Sequence, residues 1–193
     1  MTTTSNFWAN KGAAAKRKYR FKLRVRGPGA AGSPGGKFEE WVVTKVSRPS
    51  FSITDTQHSY LNHTFKFPGR ITWEDVSFSI VEPYAGDQTD VLMTALAQSG
   101  YAFPVLGNYE TIAKQKAIFS QFEIEAIDDK GAPADIWYLE NAWISNASLG
   151  EYDYSSDDLM GIDITVKYDY ARYESKDAGA ANSLESVGKP SGA

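Results

Sequence analysis

The chain has 193 residues, the length of one ordinary domain or of one domain with loose ends. Hydrophobic residues make up 42% of it and aromatic residues 13%, which is enough apolar material to bury a core. It has no cysteine, which excludes disulfides, cysteine-ligated metal sites and cysteine nucleophiles. No apolar run approaches the roughly 18 residues of a transmembrane helix, so we expect no membrane insertion of the chain.

The formal net charge of −4 conceals an uneven distribution. Residues 1–36 carry eight Lys or Arg and no acid, whereas residues 37–193 carry twelve bases and 24 acids. Opposite charges on two parts of one small chain favour self-association or intramolecular pairing. A simple nucleic-acid binder is expected to be basic over a whole face, which this chain is not.

The ends of the chain are predicted to be flexible. Residues 1–16 are an expected N-terminal arm and residues 175–193 an expected C-terminal tail, because both are dominated by small and polar residues that cannot repay the entropy of ordering. The folded domain is therefore predicted at 17–174. Within it, the Gly/Pro-rich run 27–36 is a predicted loop.

The first half of the domain shows strand patterns. Residues 18–26 alternate between apolar and basic side chains, and residues 40–46 form a second predicted strand before a proline. Residues 60–67 and 71–81 are predicted as a third and a fourth strand, joined into a hairpin by a turn at 68–70 that contains Pro68 and Gly69.

The second half contains the helix and three more strands. Residues 87–99 carry apolar side chains at helical spacing, with Gly100 as the stop signal, and a short helical turn is possible at 110–116. Strands are then predicted at Phe119–Ile127, Ile136–Ile144 and Gly161–Tyr173 from alternating patterns. A turn at 128–131 and an acidic excursion at 149–160 separate them.

These elements predict a mainly β fold. About seven strands, mostly antiparallel, are expected to form a β-sandwich or barrel flanked by one α-helix. The predicted core comprises the apolar residues on the inward faces of these strands: Trp73, Val76, Phe78, Phe122, Ile124, Trp137, Ile164 and Val166.

No motif supplies a convincing catalytic or cofactor site. Gly27-x-Gly29-x-x-Gly32 matches a dinucleotide fingerprint, but its prolines deny the helix that the phosphate needs. His58 and His63 are expected on opposite faces of one strand, which argues against a shared metal. The acids of the 149–160 segment lack the regular spacing of a calcium loop. We therefore predict no enzymatic activity, no cofactor and no metal.

The first predicted strand carries an unusual basic row. Its members are Lys18, Arg20, Lys22, Arg24 and Arg26. A solvated strand face is the simplest interpretation, and contact with an acidic surface on a neighbouring copy is the main alternative. Direct nucleic-acid contact is disfavoured because the aromatic residues Tyr19 and Phe21 point to the other face.

The order of three segments resembles the tail tube proteins of contractile-tailed, T4-like bacteriophages. Residues 60–80 (YLNHTFKFPGRITWEDVSFSI) resemble the family's hairpin, in which a basic turn leads into a strand. Residues 138–150 (YLENAWISNASLG) resemble its strand-to-loop element. Residues 152–170 resemble its closing acidic loop and long alternating strand. The similarity covers residues 17–174.

The resemblance implies a structural virion protein. Tube subunits of this family form hexameric rings, whose strands join into a closed inner barrel, and the rings stack into a tube that conducts DNA into the host. The implied partners are other copies of the chain and the sheath, tape-measure and baseplate proteins, while DNA passes the lumen without specific binding. The implied location is the phage tail, assembled in the host cytoplasm. An anionic channel wall is expected from the acidic body of the chain.

The resemblance also places contact residues. The hairpin segment around 66–75 and the strand 162–170 are expected in the barrel or in ring-to-ring contacts. Together with the basic row, the expected inter-subunit contact residues are Lys66, Arg70, Glu74, Asp75, Asp157 and Asp158.

Other functions remain open at the level of sequence. A baseplate or tail-terminator protein, or a secretion-system tube, would have the same fold. A monomeric β-sandwich that binds a carbohydrate or peptide would expose its aromatic residues on one face. A hydrolase needs a convergent polar pocket, for which the sequence offers no candidate.

Overall fold

The structure is a computed structural model that describes residues 16–28, 38, 40–84, 88–101 and 111–175. The predicted arm and tail, apart from Lys16 and Ser175, lie outside the described residues, as does most of the predicted 27–36 loop.

Ten strands and two helices are present in the described ranges. In chain order the elements are β1 (Phe21–Pro28), a 3-10 turn (Glu40–Val42), β2 (Val43–Val46), β3 (Phe51–Tyr60), β4 (His63–Trp73), β5 (Val76–Val81), α1 (Gln88–Gln98), α2 (Lys114–Ala117), β6 (Phe119–Ile127), β7 (Pro133–Glu140), β8 (Trp143–Ser148), β9 (Gly161–Lys167) and β10 (Tyr170–Ser175). The first sheet has the order β1-β6-β7-β10, and the second has the order β2-β5-β9-β8. Strands β3 and β4 form a separate two-stranded hairpin, and every pairing is antiparallel. The predicted class, mainly antiparallel β with a flanking helix, is confirmed.

The two four-stranded sheets pack face to face around one core. Phe78 of β5 meets Phe122 of β6 across the interface, with ring centroids 5.9 Å apart. The ring of Phe38, which precedes the 3-10 turn, also packs on Phe78, with centroids 6.0 Å apart. Strands β5 and β9 alternate strictly between buried apolar and outward polar residues, as a strand with one buried face requires. Of the predicted core residues, six are buried, and Trp73 and Trp137 are partly buried against the same cluster.

The predicted helix is confirmed as α1. Leu92 and Ala95 are buried at helical spacing, and Leu92 belongs to the core. Gly100, with φ of +103°, ends the helix, and its amide donates to the carbonyl of Ala97 at 3.1 Å. A left-handed residue after the last turn is the usual role of glycine at this position. No helix in the described ranges is long and apolar enough to span a bilayer.

The predicted turn at 68–70 is wrong. The hairpin reverses at Leu61 and Asn62 instead, where Leu61 has φ of +53°, and Pro68 to Arg70 lie inside β4. The partner of β4 is therefore β3, a strand that the sequence analysis did not identify before residue 60. His58 and His63 lie on different strands and on the same face, because the turn falls between them.

Four other predicted strands change length or divide. In the predicted strand 40–46, residues 40–42 form the 3-10 turn and only 43–46 are strand. β1 begins at Phe21, so Lys18 and Arg20 precede it. The predicted strand 136–144 is interrupted at Asn141, whose φ is +58°. The predicted strand 161–173 divides into β9 and β10, which belong to different sheets. The Asp169 amide donates to the carbonyl of Glu140 at this corner, which anchors the crossing.

Candidate assembly surface

The β3–β4 hairpin is the most exposed regular element of the described structure. Every residue from 51 to 72 is exposed, and only Trp73, at its base, is partly buried. It continues the β2–β5 pair beyond the sandwich, since the Glu74 amide donates to the carbonyl of Ser50 at 2.9 Å and the Ser47 amide to that of Ser77 at 2.8 Å. Ten residues of β3 extend roughly 33 Å. A two-stranded hairpin of this kind is marginally stable in water unless something packs on it.

A bulge in β4 turns the apolar side chains from one face of the hairpin to the other. Ile53 pairs with Ile71, and Asp55 pairs with Pro68, so three steps on β4 oppose two on β3. Near the base, Phe51 and Ile53 share a face with their apolar partners on β4. Beyond the bulge, the apolar residues lie on the opposite face: Tyr60, Phe65 and Phe67. The hairpin therefore offers apolar surfaces in two directions.

Gly69 makes the bulge possible. A Cβ at this position would lie 2.5 Å from Oγ1 and 2.9 Å from the carbonyl oxygen of Thr54. The Thr54 hydroxyl occupies that space because it accepts a hydrogen bond from the Arg70 amide at 3.0 Å. The Pro68-Gly69 pair that resembles a turn in sequence is thus the signature of a bulge.

The acidic segment 149–160 is the second exposed feature. It connects β8 to β9, and Tyr152 and Tyr154 are exposed by 95% and 112%. The pKa of the Asp153 carboxyl is lowered because it accepts hydrogen bonds from the backbone amide and the hydroxyl of Ser155. Asp157 and Asp158 are exposed on the same segment, and the latter accepts a hydrogen bond from the Ser156 hydroxyl.

The predicted basic row is divided by the structure. Lys18 lies exposed in a turn, and the Arg20 guanidinium stacks 5.8 Å from the ring centre of Tyr19. Lys22 is partly buried opposite Glu125, and Arg26 is exposed opposite Gln121. Lys22, Arg24 and Arg26 share one face of β1, whereas Lys18 and Arg20 precede the strand.

Arg24 is engaged within its own chain. Its Nη1 lies 2.7 Å from Glu125 Oε1 and 3.8 Å from Glu123 Oε2, and its Nε lies 3.3 Å from Glu40 Oε1. Glu125 is only 3% exposed, so the guanidinium compensates a buried carboxylate. Lys16 pairs in the same way with Asp135, which is 2% exposed. Neither buried acid was among the residues predicted from the sequence. The register of an acidic strand beside a basic one is the signal that could have found Glu125.

The remaining predicted contact residues lie on the hairpin. Lys66 and Arg70 are exposed and form no ion pair within the described ranges. Glu74 and Asp75 are exposed where the hairpin joins β5, and Asp75 Oδ2 lies 4.0 Å from Lys167 Nζ. Burial, followed by the charges of Asp75 and Glu74, raises the pKa of Tyr168 to about 12.

An open groove lies where α2 meets the ends of β8 and β9. It encloses about 410 Å³ and is lined by Ile112, Lys114, Ala117, Trp143, Lys167, Tyr168 and Asp169. Its charged groups already serve the fold, since Lys114 Nζ lies 2.6 and 2.8 Å from the two carboxylate oxygens of Asp169. This pair lowers the pKa of Asp169, together with a hydrogen bond from Asn141. Within the described ranges, no three His, Asp or Glu side chains are placed to hold a metal ion.

The outward face of the second sheet is a smooth polar surface. On β5 and β9 the side chains that alternate with the core are Ser77, Ser79, Asp163, Thr165 and Lys167. This face carries hydroxyl groups and charges of both signs, since Lys45 of β2 pairs with Ser79 and joins Asp163 and Lys167 there. Further acidic side chains lie on the first sheet and on the 149–160 segment.

Comparison with known structures identifies this architecture. No protein-family model matches the chain, and no curated protein is significantly similar in sequence. The structure superimposes on the tube-terminating cap of the anti-feeding prophage with a TM-score of 0.63 at 13% identity, over 91% of this chain and 99% of that one. A chain of the anti-feeding prophage baseplate gives 0.62 at 12% identity, over 84% and 97%. A chain of the extended PVC sheath–tube complex, an extracellular contractile injection system, gives 0.59 at 14% identity, over 89% and 99%.

The chain has the tail-tube fold. At these identities the similarity establishes the fold, and it extends over nearly the whole of each matched chain. The matched proteins are components of contractile injection systems, which places the predicted resemblance in a broader group than the tails of T4-like phages.

Proposed function

We propose that the chain is a structural subunit of a contractile-system tube that assembles into hexameric rings and stacks them. The single observation that carries this proposal is the hairpin. A projection of 23 residues from Phe51 to Trp73, exposed throughout except at its base and apolar on both sides, has no stabilising partner within the described chain. Such an element is completed by other copies. The tail-tube fold and the six-fold symmetry of the matched baseplate support the same conclusion.

The edges of the second sheet support ring closure. β2 and β8 are its outer strands, and each pairs on one side only among the described residues. Pairing β8 of one copy with the β2 edge of the next closes the sheets into a barrel and removes the exposed edges. The hydroxyl-rich face of the second sheet then lines the lumen. A wall on which hydroxyl groups separate charges of both signs offers a polyanionic or polypeptide cargo no continuous binding surface.

The function extends to cargo conduction. As a phage tail tube, the assembly conducts DNA into the host, with the sheath, the tape measure and the baseplate as its partners in a virion assembled in the cytoplasm. No catalytic step belongs to this role. The cargo is tested by treating purified particles that contain this subunit with nuclease and measuring the DNA that remains protected. If no DNA is protected, the particle is one that translocates protein.

The decisive experiment is imaging of the concentrated full-length protein by negative-stain electron microscopy. Tubes with six-fold end views are expected. Single rings that do not stack would favour a cap or baseplate component of the same fold. A monomer at every concentration, measured by light scattering, would exclude an assembly role and favour a β-sandwich binding module.

A further inference from the structure

The outer part of the hairpin has an aromatic face that nothing in the described structure covers. This face lies beyond the bulge and comprises Tyr60, Phe65 and Phe67, which are exposed by 64%, 52% and 55%. The opposite face at the same level is polar, with Gln57 paired to Lys66 and Ser59 to Thr64. Only one side of the outer hairpin therefore offers an apolar docking surface.

The hairpin and the 149–160 segment have opposite charge. Between residues 51 and 73 the hairpin carries Lys66 and Arg70 against one acid, Asp55. The 149–160 segment carries four acids and no base: Glu151, Asp153, Asp157 and Asp158. No cation of the described chain forms an ion pair with these four carboxylates. The segment also exposes Tyr152 and Tyr154, which can pack on aromatic rings.

The two surfaces lie at opposite ends of the same sheet. The hairpin joins the sheet just before Val76, which pairs with Val166, whereas the 149–160 segment leaves it at Gly161, which pairs with Val81. These points are separated by the six residues of β5, roughly 20 Å. A second copy displaced along the strand direction therefore brings its acidic segment towards the hairpin of the first.

On the basis of the proposed function, we infer that the aromatic face of the hairpin docks on the 149–160 segment of a copy in the adjacent ring. Aromatic packing supplies the apolar contact. Lys66, which lies on the polar face of the same strand, and Arg70 at the bulge give the hairpin the positive charge that attracts the carboxylates of the segment. The contact is head to tail, since each copy offers one hairpin at one end and one acidic segment at the other. Repetition of such a contact gives an open-ended stack.

Charge reversal tests the pairing in the full chain. Lys66→Glu with Arg70→Glu, and separately Asp157→Lys with Asp158→Lys, are each expected to raise the critical concentration for tube formation by about tenfold or more, because the hairpin and the segment then carry charges of the same sign. The variant that carries all four changes should recover most of the assembly. The matched controls are Lys130→Glu and Asp129→Lys, exposed residues in the β6–β7 turn, which should assemble like the unmodified chain.

Disulfide crosslinking provides the second measurement. Because the chain has no native cysteine, only the introduced cysteines can form disulfides. Phe65→Cys combined with Tyr154→Cys is expected to give an oxidised ladder that extends beyond six chains on a denaturing gel. Phe65→Cys combined with Lys130→Cys should give no ladder.

Each outcome decides between the inferences. The hairpin-to-segment contact would be wrong if the double variants assembled normally. It would also be wrong if the variant with all four substitutions assembled as poorly as the double variants. Neither result would contradict the proposed tube function. A ladder that ends at six chains would place the contact within a ring and overturn the ring-to-ring assignment. An unmodified chain that stays monomeric would overturn the proposed function itself.

Discussion

Gly69 controls the direction of the outer hairpin. Because its missing side chain leaves room for the Thr54 hydroxyl, β4 can bulge there and present Phe65 and Phe67 opposite to Ile71. Gly69→Ala places a carbon 2.9 Å from the Thr54 carbonyl oxygen, so the strand pair must shift. We expect lost hydrogen-exchange protection in the outer hairpin and loss of tubes, with a Tm change below about 2 °C because the hairpin lies outside the core.

The control for this substitution is Gly161→Ala. A Cβ there meets only the Ile80 carbonyl oxygen at 3.7 Å, an ordinary contact distance. This variant should assemble normally. If Gly69→Ala also retains both hairpin protection and tube formation, the bulge does not determine the contact.

Arg24 is expected to act in folding and not in assembly. Arg24→Met leaves Glu125 buried without its cation, which costs about 2–3 kcal/mol, less than for a fully buried pair because the Arg24 side chain is 39% exposed. For a chain of this size that corresponds to a Tm lower by about 5–10 °C in a thermal melt. Arg26→Met, on the same strand but exposed, should change Tm by less than about 2 °C. Equal effects would show that the carboxylates around Arg24 do not matter.

Tyr168 makes stability sensitive to alkaline pH. Its pKa is raised to about 12, from an ordinary value near 10, by burial and by the charges of Asp75 and Glu74. The neutral phenol is therefore favoured in the folded state, and its contribution is complete below pH 10 and is lost as the pH rises towards 12. Tyr168→Phe should reduce the loss of stability over that interval, as measured by urea unfolding at several pH values. Parallel curves for both proteins would contradict this account.

Among the secondary-structure elements, the hairpin separates assembly from folding. Replacing residues 56–67 by Asn-Gly joins Asp55 to Pro68, which are already paired, through a two-residue turn. No buried residue is removed, so circular dichroism and Tm should resemble those of the full chain. Assembly should stop at single rings or earlier. A truncated chain that still forms long tubes would show that the outer hairpin is dispensable for stacking.

The elements also show which features the sequence could predict. Alternation in β5, β6 and β9 identified inward residues such as Phe78 and Ile164, because burial of one sheet face requires period two. β3 was missed because the same rule fails in an element that lies outside the core. Its signals were weaker, namely the β-branched Ile53 and Thr54 and the turn residue Asn62. The division between β9 and β10 depends on contacts of Asp169 with distant residues, which no local pattern contains.

For the predicted contact residues, too, the sequence predicts local features but not the contacts between distant strands. Lys66 and Arg70 were predicted as contact residues because their segment resembles a known element. The structure shows them exposed on the hairpin, and their contact with another copy stays a prediction. Arg24 belongs to a predicted basic row but is paired internally, and only the register of β1 against β6 reveals this. Alternation in sequence gives the face on which a charge lies, but the opposite charges on that face come from strands far away in the chain.

At the scale of the whole molecule, two electrostatic effects are expected to compete in the proposed assembly. The chain has a net charge of −4, so copies repel one another, and salt would promote assembly by screening that repulsion. In the contact inferred between adjacent rings, the hairpin and the acidic segment attract each other at short range, and salt would weaken that attraction. The Debye length falls from about 8 Å at 0.15 M to about 3 Å at 1 M, so both effects are reduced at high salt.

We expect the attraction to dominate, because it acts at the contact while the net charge is spread over the whole surface. Raising NaCl from about 0.15 M to about 1 M should therefore raise the critical concentration for tube formation, measured by sedimentation. Lys66→Gln with Arg70→Gln removes the cations without reversing them and should abolish this dependence or invert it, since only the repulsion then remains. Salt that promotes assembly of the unmodified chain would mean that stacking depends on apolar packing and not on the charges of the hairpin.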